Sequence, residues 1–100
     1  MEFYYAVYRH GHELMVAVCD EDALENTFCC DEKGIKLDVQ KSFYGKNKGQ
    51  KEEIMHLMKD ATILNLVGKE IIDIALDEGL INKECVLVIG GTVHAQRAKM

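Results

Sequence analysis

Apolar and polar residues alternate strictly along Ile35-Lys36-Leu37-Asp38-Val39-Gln40. That period predicts a half-exposed strand with Ile35, Leu37 and Val39 turned inward and Asp38 toward water. Two earlier stretches read as strands for other reasons. Phe3 to Arg9 is rich in aromatic and β-favouring residues, and Leu14 to Cys19 is apolar without a break, the pattern of a strand covered on both faces. The turn His10-Gly11-His12-Glu13 joins them into a hairpin. Near the other end of the chain, Cys85 to Ile89 and Thr92 to Ala98 flank Gly90-Gly91, a direct signal for a second hairpin.

Helical spacing appears in two places. Lys51 to Asp60 sets Ile54, Leu57, Met58 and Ala61 along one side and leaves His56 opposite, one turn after Glu52 in a solvated contact. From Leu66 to Glu78, Lys69, Glu70, Asp73 and Asp77 gather on a narrow arc, while Val67, Gly68, Ile71, Ile72, Ile74 and Ala75 fill the rest. So broad an apolar face predicts a helix at the centre of the domain, with Asn65 as its N-cap and Gly79-Leu80 as its C-terminal cap. Gly68, where that helix begins, permits close backbone approach. Asp20 is expected to cap a shorter helix that ends at Asn26, with Glu21 and Asp22 at its positive end. Thr62-Ile63-Leu64 reads as a brief extended link. Phe43 to Gln50 has no apolar period and is expected to form a mobile loop. The fold class that follows is α+β: a small mixed or antiparallel sheet built from two hairpins plus the Ile35 strand, with the two longer helices packed on one face.

Composition narrows this only slightly. One hundred residues make a single domain, and a chain of that size buries about 60–70% of its unfolded surface. A net charge of −5 argues against coating nucleic acid by bulk attraction. The early Glu2 and the absence of a basic start and apolar block are unlike a signal peptide, and apolar runs such as Ala61 to Gly68 fall far short of the ~20 residues that span a bilayer. A cytoplasmic protein without membrane contact is the expectation. Its four cysteines, Cys19, Cys29, Cys30 and Cys85, form no Cys-x-x-Cys pair. Small buried hydrophobes at Cys19 and Cys85 are therefore expected, with neither a metal nor another cofactor.

The charges are nevertheless segregated. Asp20 to Glu32 holds six acids and no base, whereas Lys41, Lys46, Lys48 and Lys51 occur without an intervening acid beside Phe43 and Tyr44. Lysines can hold phosphates while an aromatic ring stacks on a base, so Tyr44, Lys46, Lys48 and Lys51 form one candidate binding group. His94, Gln96 and Arg97, on the strand after the glycine turn, form the second. In a strand His94 and Gln96 share a face and Arg97 points the other way. His10 and His12 provide only two imidazoles, half of a tetrahedral metal site.

Several stretches together are similar to a known family: Val16-Ala17-Val18-Cys19-Asp20-Glu21, Phe43-Tyr44-Gly45, Asn65-Leu66-Val67-Gly68, Gly79-Leu80-Ile81, and Gly90-Gly91 with His94-Ala95-Gln96. In order and spacing they resemble an archaeal family of short proteins catalogued as a domain of unknown function. Asn26 stands where that family has Gly, and Val93 where a Pro often precedes the His. The resemblance implies a single-domain archaeal protein and no particular activity.

The functional expectation is a non-catalytic binding or accessory module that contacts RNA or a ribonucleoprotein. The alternatives are an adaptor that docks another protein through the acidic segment 20–32 and a small enzyme that uses His94 with a cysteine. Neither a nucleophile–base pair nor a phosphate-binding glycine loop can be assembled from the sequence.

Overall fold

The computed structural model describes residues 2–32 and 34–98. Its main sheet has six strands: β1 (Glu2–His10), β2 (Glu13–Asp20), β5 (Asn47–Gln50), β6 (Ile63–Val67), β7 (Val86–Ile89) and β8 (Thr92–Ala98). They lie in the order β5-β1-β2-β6-β8-β7, and β2 with β6 is the parallel pair in an otherwise antiparallel ladder. A second, two-stranded sheet is the hairpin of β3 (Thr27–Cys30) and β4 (Ile35–Asp38). The helices are α1 (Lys41–Tyr44), α2 (Lys51–Asp60) and α3 (Lys69–Asp77).

The uninterrupted apolar run of β2 has the role its sequence predicts. Val16 to Cys19 are fully buried, because even and odd positions both face a covered side of the sheet. On one side Phe3, Val16, Val18, Leu64, Leu66 and Ala95 pack against Ile54 and Met58 of α2 and Ile71, Ile72 and Ala75 of α3. Each fully buried Leu, Ile or Met there contributes about 1.5–3 kcal/mol over its exposed state. On the other side Ala17, Cys19 and Val67 pack against Ala23, Val39 and Tyr44, with Phe28, Leu37 and Phe43 at the margin. The protein is α+β, with a mixed sheet built from hairpins and both longer helices on one face.

Several local expectations are corrected by tertiary packing. The Ile35 strand pairs with Thr27–Cys30 instead of joining the main sheet. Its inward side chains cover the sheet's second face as a lid. The segment Phe43 to Gln50 is not a loop but carries the end of α1 and the edge strand β5. The residues Asn-Lys-Gly-Gln have no strand signature of their own, and β5 is held by its pairing with Glu2–Tyr5 of β1.

The helix expected from Leu66 begins at Lys69, because Leu64 and Leu66 belong to the sheet core. Asn65 therefore sits in mid-strand and caps nothing. The cap comes from Asp20, fifty positions away: its Oδ2 accepts from the Glu70 N–H and its Oδ1 from the Ile71 N–H, each at 2.9 Å. Asp20 precedes only a single 3-10 turn, Glu21–Ala23, from whose N–H groups its side chain accepts no capping bond. The left-handed residue after that turn is Glu25, with φ 67°, while the Asn26 side-chain amide donates to the Asp22 carbonyl at 2.7 Å.

Candidate functional site

Residues of β1 alternate across the sheet, so Tyr4 and Tyr8 project from the face opposite α2 and α3. The Phe43 ring, brought over β1 by α1, stacks on Tyr8 with centroids 5.3 Å apart and planes inclined by 16°. Tyr8 donates its hydroxyl to the Phe43 carbonyl at 2.7 Å, which fixes that geometry. Lys46 follows α1 and holds its ammonium 4.7 Å from the centre of the Tyr8 ring. An aromatic pair topped by a cation thus forms one corner of the molecule, with exposed Lys41 at the start of α1. Tyr8 carries no sequence signal beyond its place among β1 aromatics, and it was not among the expected site residues.

The other lysines separate from this corner. Lys48 lies opposite Tyr4, with its ammonium 5.2 Å from that ring, and forms ion pairs with Glu21 at 2.5 Å and Glu2 at 3.7 Å. Its bond to Glu21 pushes the ammonium pKa up, and its charge is largely compensated. Lys51 is exposed at the first position of α2. Tyr44, expected to stack on a ligand base, is buried instead, donates its hydroxyl to Asn65 Oδ1, and packs edge-on against Phe43. Burial pushes its phenol pKa up. A ring enclosed in this way cannot serve as an open stacking platform.

The second expected group is divided by the sheet, as strand alternation requires. His94 lies opposite Val67 and Gln96 opposite Asn65, on the face that also carries Tyr44. His94 is half-buried and bonds the Leu66 carbonyl through Nδ1 at 2.9 Å. Since a carbonyl only accepts, Nδ1 bears the proton. Burial pushes the His94 pKa down, partly offset by that bond. Gln96 is exposed. Arg97 faces the helices and donates to the Leu80 carbonyl at 2.7 Å and the Ala61 carbonyl at 2.8 Å. It ties together the chain ends of α3 and α2, and its Nε is buried without a partner.

At the other end of β1 and β2 the surface is acidic. Glu2, Phe3, Asp20, Glu21, Asp22 and Glu70 line a cavity of about 310 Å³. Asp20 is only 6% exposed, and burial raises its carboxyl pKa against the lowering effect of its two amide bonds. Gly68 makes room for it: at φ +121° a Cβ on this residue would fall on the Asp20 carboxyl group. The close approach expected at Gly68 is thus to a side chain and not to backbone.

No group of three or more metal-binding side chains comes together among the described residues. Cys19, Val67 and His94 lie in one row across β2, β6 and β8. Two strand spacings therefore separate the Cys19 and His94 backbones, about 9.5 Å, and His94 Nδ1 is bonded to the Leu66 carbonyl. Burial also pushes the Cys19 thiol up to about 12, so it is not a ready nucleophile. Cys29 is exposed, and Cys30 and Cys85 are partly so. No helix among the described residues is long and apolar enough to cross a membrane.

The fold and this site define a small mixed-sheet α+β protein with a basic aromatic corner and an acidic opposite end. The chain belongs to the family described as "Protein of unknown function (DUF424)", whose model matches residues 8–100. It is similar in structure to an uncharacterized conserved protein from the archaeon Methanopyrus kandleri. The TM-score is 0.76 at 20% sequence identity, covering 100% of this chain and 95% of that one. At that identity the likeness is one of fold. No curated protein matches the chain.

Proposed function

We propose that this protein is a non-catalytic, cytoplasmic binding module that contacts single-stranded RNA, free or within a ribonucleoprotein, through the corner formed by Tyr8, Phe43 and Lys46. The observation that carries this reading is the Lys46 ammonium held over the Tyr8 ring, which is itself stacked on Phe43. A cation beside an aromatic surface supplies the two sequence-tolerant interactions used by single-strand binders, phosphate attraction and base stacking. Lys41 and Lys51 add exposed charge, and the acidic end around Asp20 would repel the strand and orient it.

Fluorescence anisotropy with a labelled oligouridylate tests this reading across a salt series. Neutralising Lys46, Lys48 and Lys51 together should weaken binding and flatten the salt dependence, each lost phosphate contact lowering the logarithmic slope by roughly 0.7. Lys46→Ala should account for more of the loss than Lys48→Ala, whose charge already faces Glu21 and Glu2. Tyr8→Leu removes the ring that supports both Lys46 and Phe43 and should weaken binding by about 1–3 kcal/mol, the scale of one lost base–aromatic contact. A wild-type protein that ignores the oligonucleotide at low salt would remove the reading. The acidic cavity lined by Glu2, Asp20, Glu21, Asp22 and Glu70 then favours the second reading, an adaptor for a basic segment of another protein.

A further inference from the structure

The two edges of the main sheet are built differently. β5 is short and polar, with Lys48 and Gly49 among its four residues, a composition that discourages further strand pairing. β7 reads Val-Leu-Val-Ile without a charge, and Val88 is, among the described residues, the large hydrophobic side chain most open to solvent, at 60%. Hydrogen-bonded and non-bonded pairs alternate in an antiparallel ladder. Since Ile89 and Thr92 close the two-residue turn, Ile89 and Leu87 direct their backbone groups at β8, and Val86 and Val88 direct theirs outward. The Val86 N–H is already taken by the Lys83 carbonyl. Val88 is the residue of β7 at which an exposed apolar side chain and an outward-facing N–H and C=O coincide, and no backbone group among the described residues bonds to them.

We propose that β7 pairs antiparallel with β7 of a second copy of this chain, about a two-fold axis at Val88. An N–H and C=O on one residue are self-complementary about such an axis, so each Val88 exchanges both bonds with its copy. The valine side chains meet on the α2–α3 face of the extended sheet, and Leu87 lies opposite Ile89 of the other chain. The flanking charges permit this arrangement. Reversal of direction sets Lys83 and Glu84 of one chain toward the uncharged Gly90-Gly91 turn of the other, not toward their own copies. Pairing of β7 with β5 would instead oppose Val-Leu-Val-Ile to Asn-Lys-Gly-Gln, so association closes at a dimer and does not extend into a fibre. The short ladder makes the dimer weak and concentration-dependent.

Sedimentation equilibrium of the full chain, from micromolar to millimolar concentration, tests the pairing. The expected result is a reversible monomer–dimer equilibrium. Val88→Lys and Val88→Glu, each of which sets like charges directly opposite across the axis, should both be monomeric over the same range. An equimolar mixture of the two should dimerise again, which a general loss of folding or a contact elsewhere would not produce. Wild-type protein that stays monomeric at millimolar concentration overturns the proposal. So does a dimer that survives either substitution, or a mixture that fails to reassociate.

Discussion

Under α2 and α3 the sheet presents Val16, Val18, Leu64 and Leu66 to Ile54, Met58, Ile71 and Ala75, an apolar layer with Arg97 at its rim. Under the β3–β4 hairpin and α1 the same strands present Asn65 bonded to Tyr44 and His94 bonded to the Leu66 carbonyl. One face is closed by long amphipathic helices, the other by a four-residue helix and a two-stranded lid. The first gains from area alone, and few of its contacts depend on the exact partner. The second must satisfy each polar group it covers, which restricts its geometry and leaves polar side chains near the surface. Stability should therefore reside mainly on the helix face, and recognition on the other.

The largest effect should come from the point where the layers meet. Gly68→Val places a Cβ against the Asp20 carboxyl group at φ +121° and disrupts the cap of α3. Overpacking and backbone strain together should cost about 2–6 kcal/mol, read as a lower urea midpoint. An unchanged midpoint would remove the Asp20–Gly68 junction from the account. Next in size, Leu66→Ala opens a cavity under the helices and should cost about 2–5 kcal/mol. Tyr44→Phe, on the opposite face, deletes one hydrogen bond to a partly exposed Asn65 and should cost only about 1 kcal/mol. Equal losses in these two variants would break the contrast between the faces.

The smallest expected effect is a pH dependence. Burial holds the His94 imidazole below its ordinary value of 6.5. The contribution of the neutral ring is present above pH 6.5 and is lost as the pH falls through the lowered folded value. The urea midpoint should therefore decline on acidification through this window, and His94→Gln should reduce the decline. A wild-type midpoint that rises as the pH falls over that interval would count against a buried neutral His94.

Much of the frame is legible in the chain because it rests on local periods. The run from Leu14 to Cys19, the spacing of Ile54 and Met58, the Gly79 cap and the Gly90-Gly91 turn each encode an element without reference to distant residues. The β5 strand is not legible, since Asn47 to Gln50 acquires strand geometry only from β1. Leu64 and Leu66 stand two positions apart, the strand period, but Leu66-Val67 also continues the apolar pattern of the following helix, and the choice was made by the buried slot between β2 and β8. For the site, the opposed directions of Gln96 and Arg97 follow from strand alternation alone. The enclosure of Tyr44, the pairing of Lys48 with Glu21 and the stacking of Tyr8 on Phe43 do not, because each joins residues more than twenty positions apart.

The sequence by itself determined the α+β class, the two terminal hairpins, the two amphipathic helices and the segregation of charge, all consequences of residue order over short distances. Tertiary structure decided that Lys48 pairs with Glu21 while Lys46 lies over Tyr8, that Tyr44 is enclosed, and that Asp20 rather than Asn65 caps α3. The physical reason is that capping, ion pairing and ring stacking depend on separations of a few ångströms, and only packing sets those separations between segments remote in the chain.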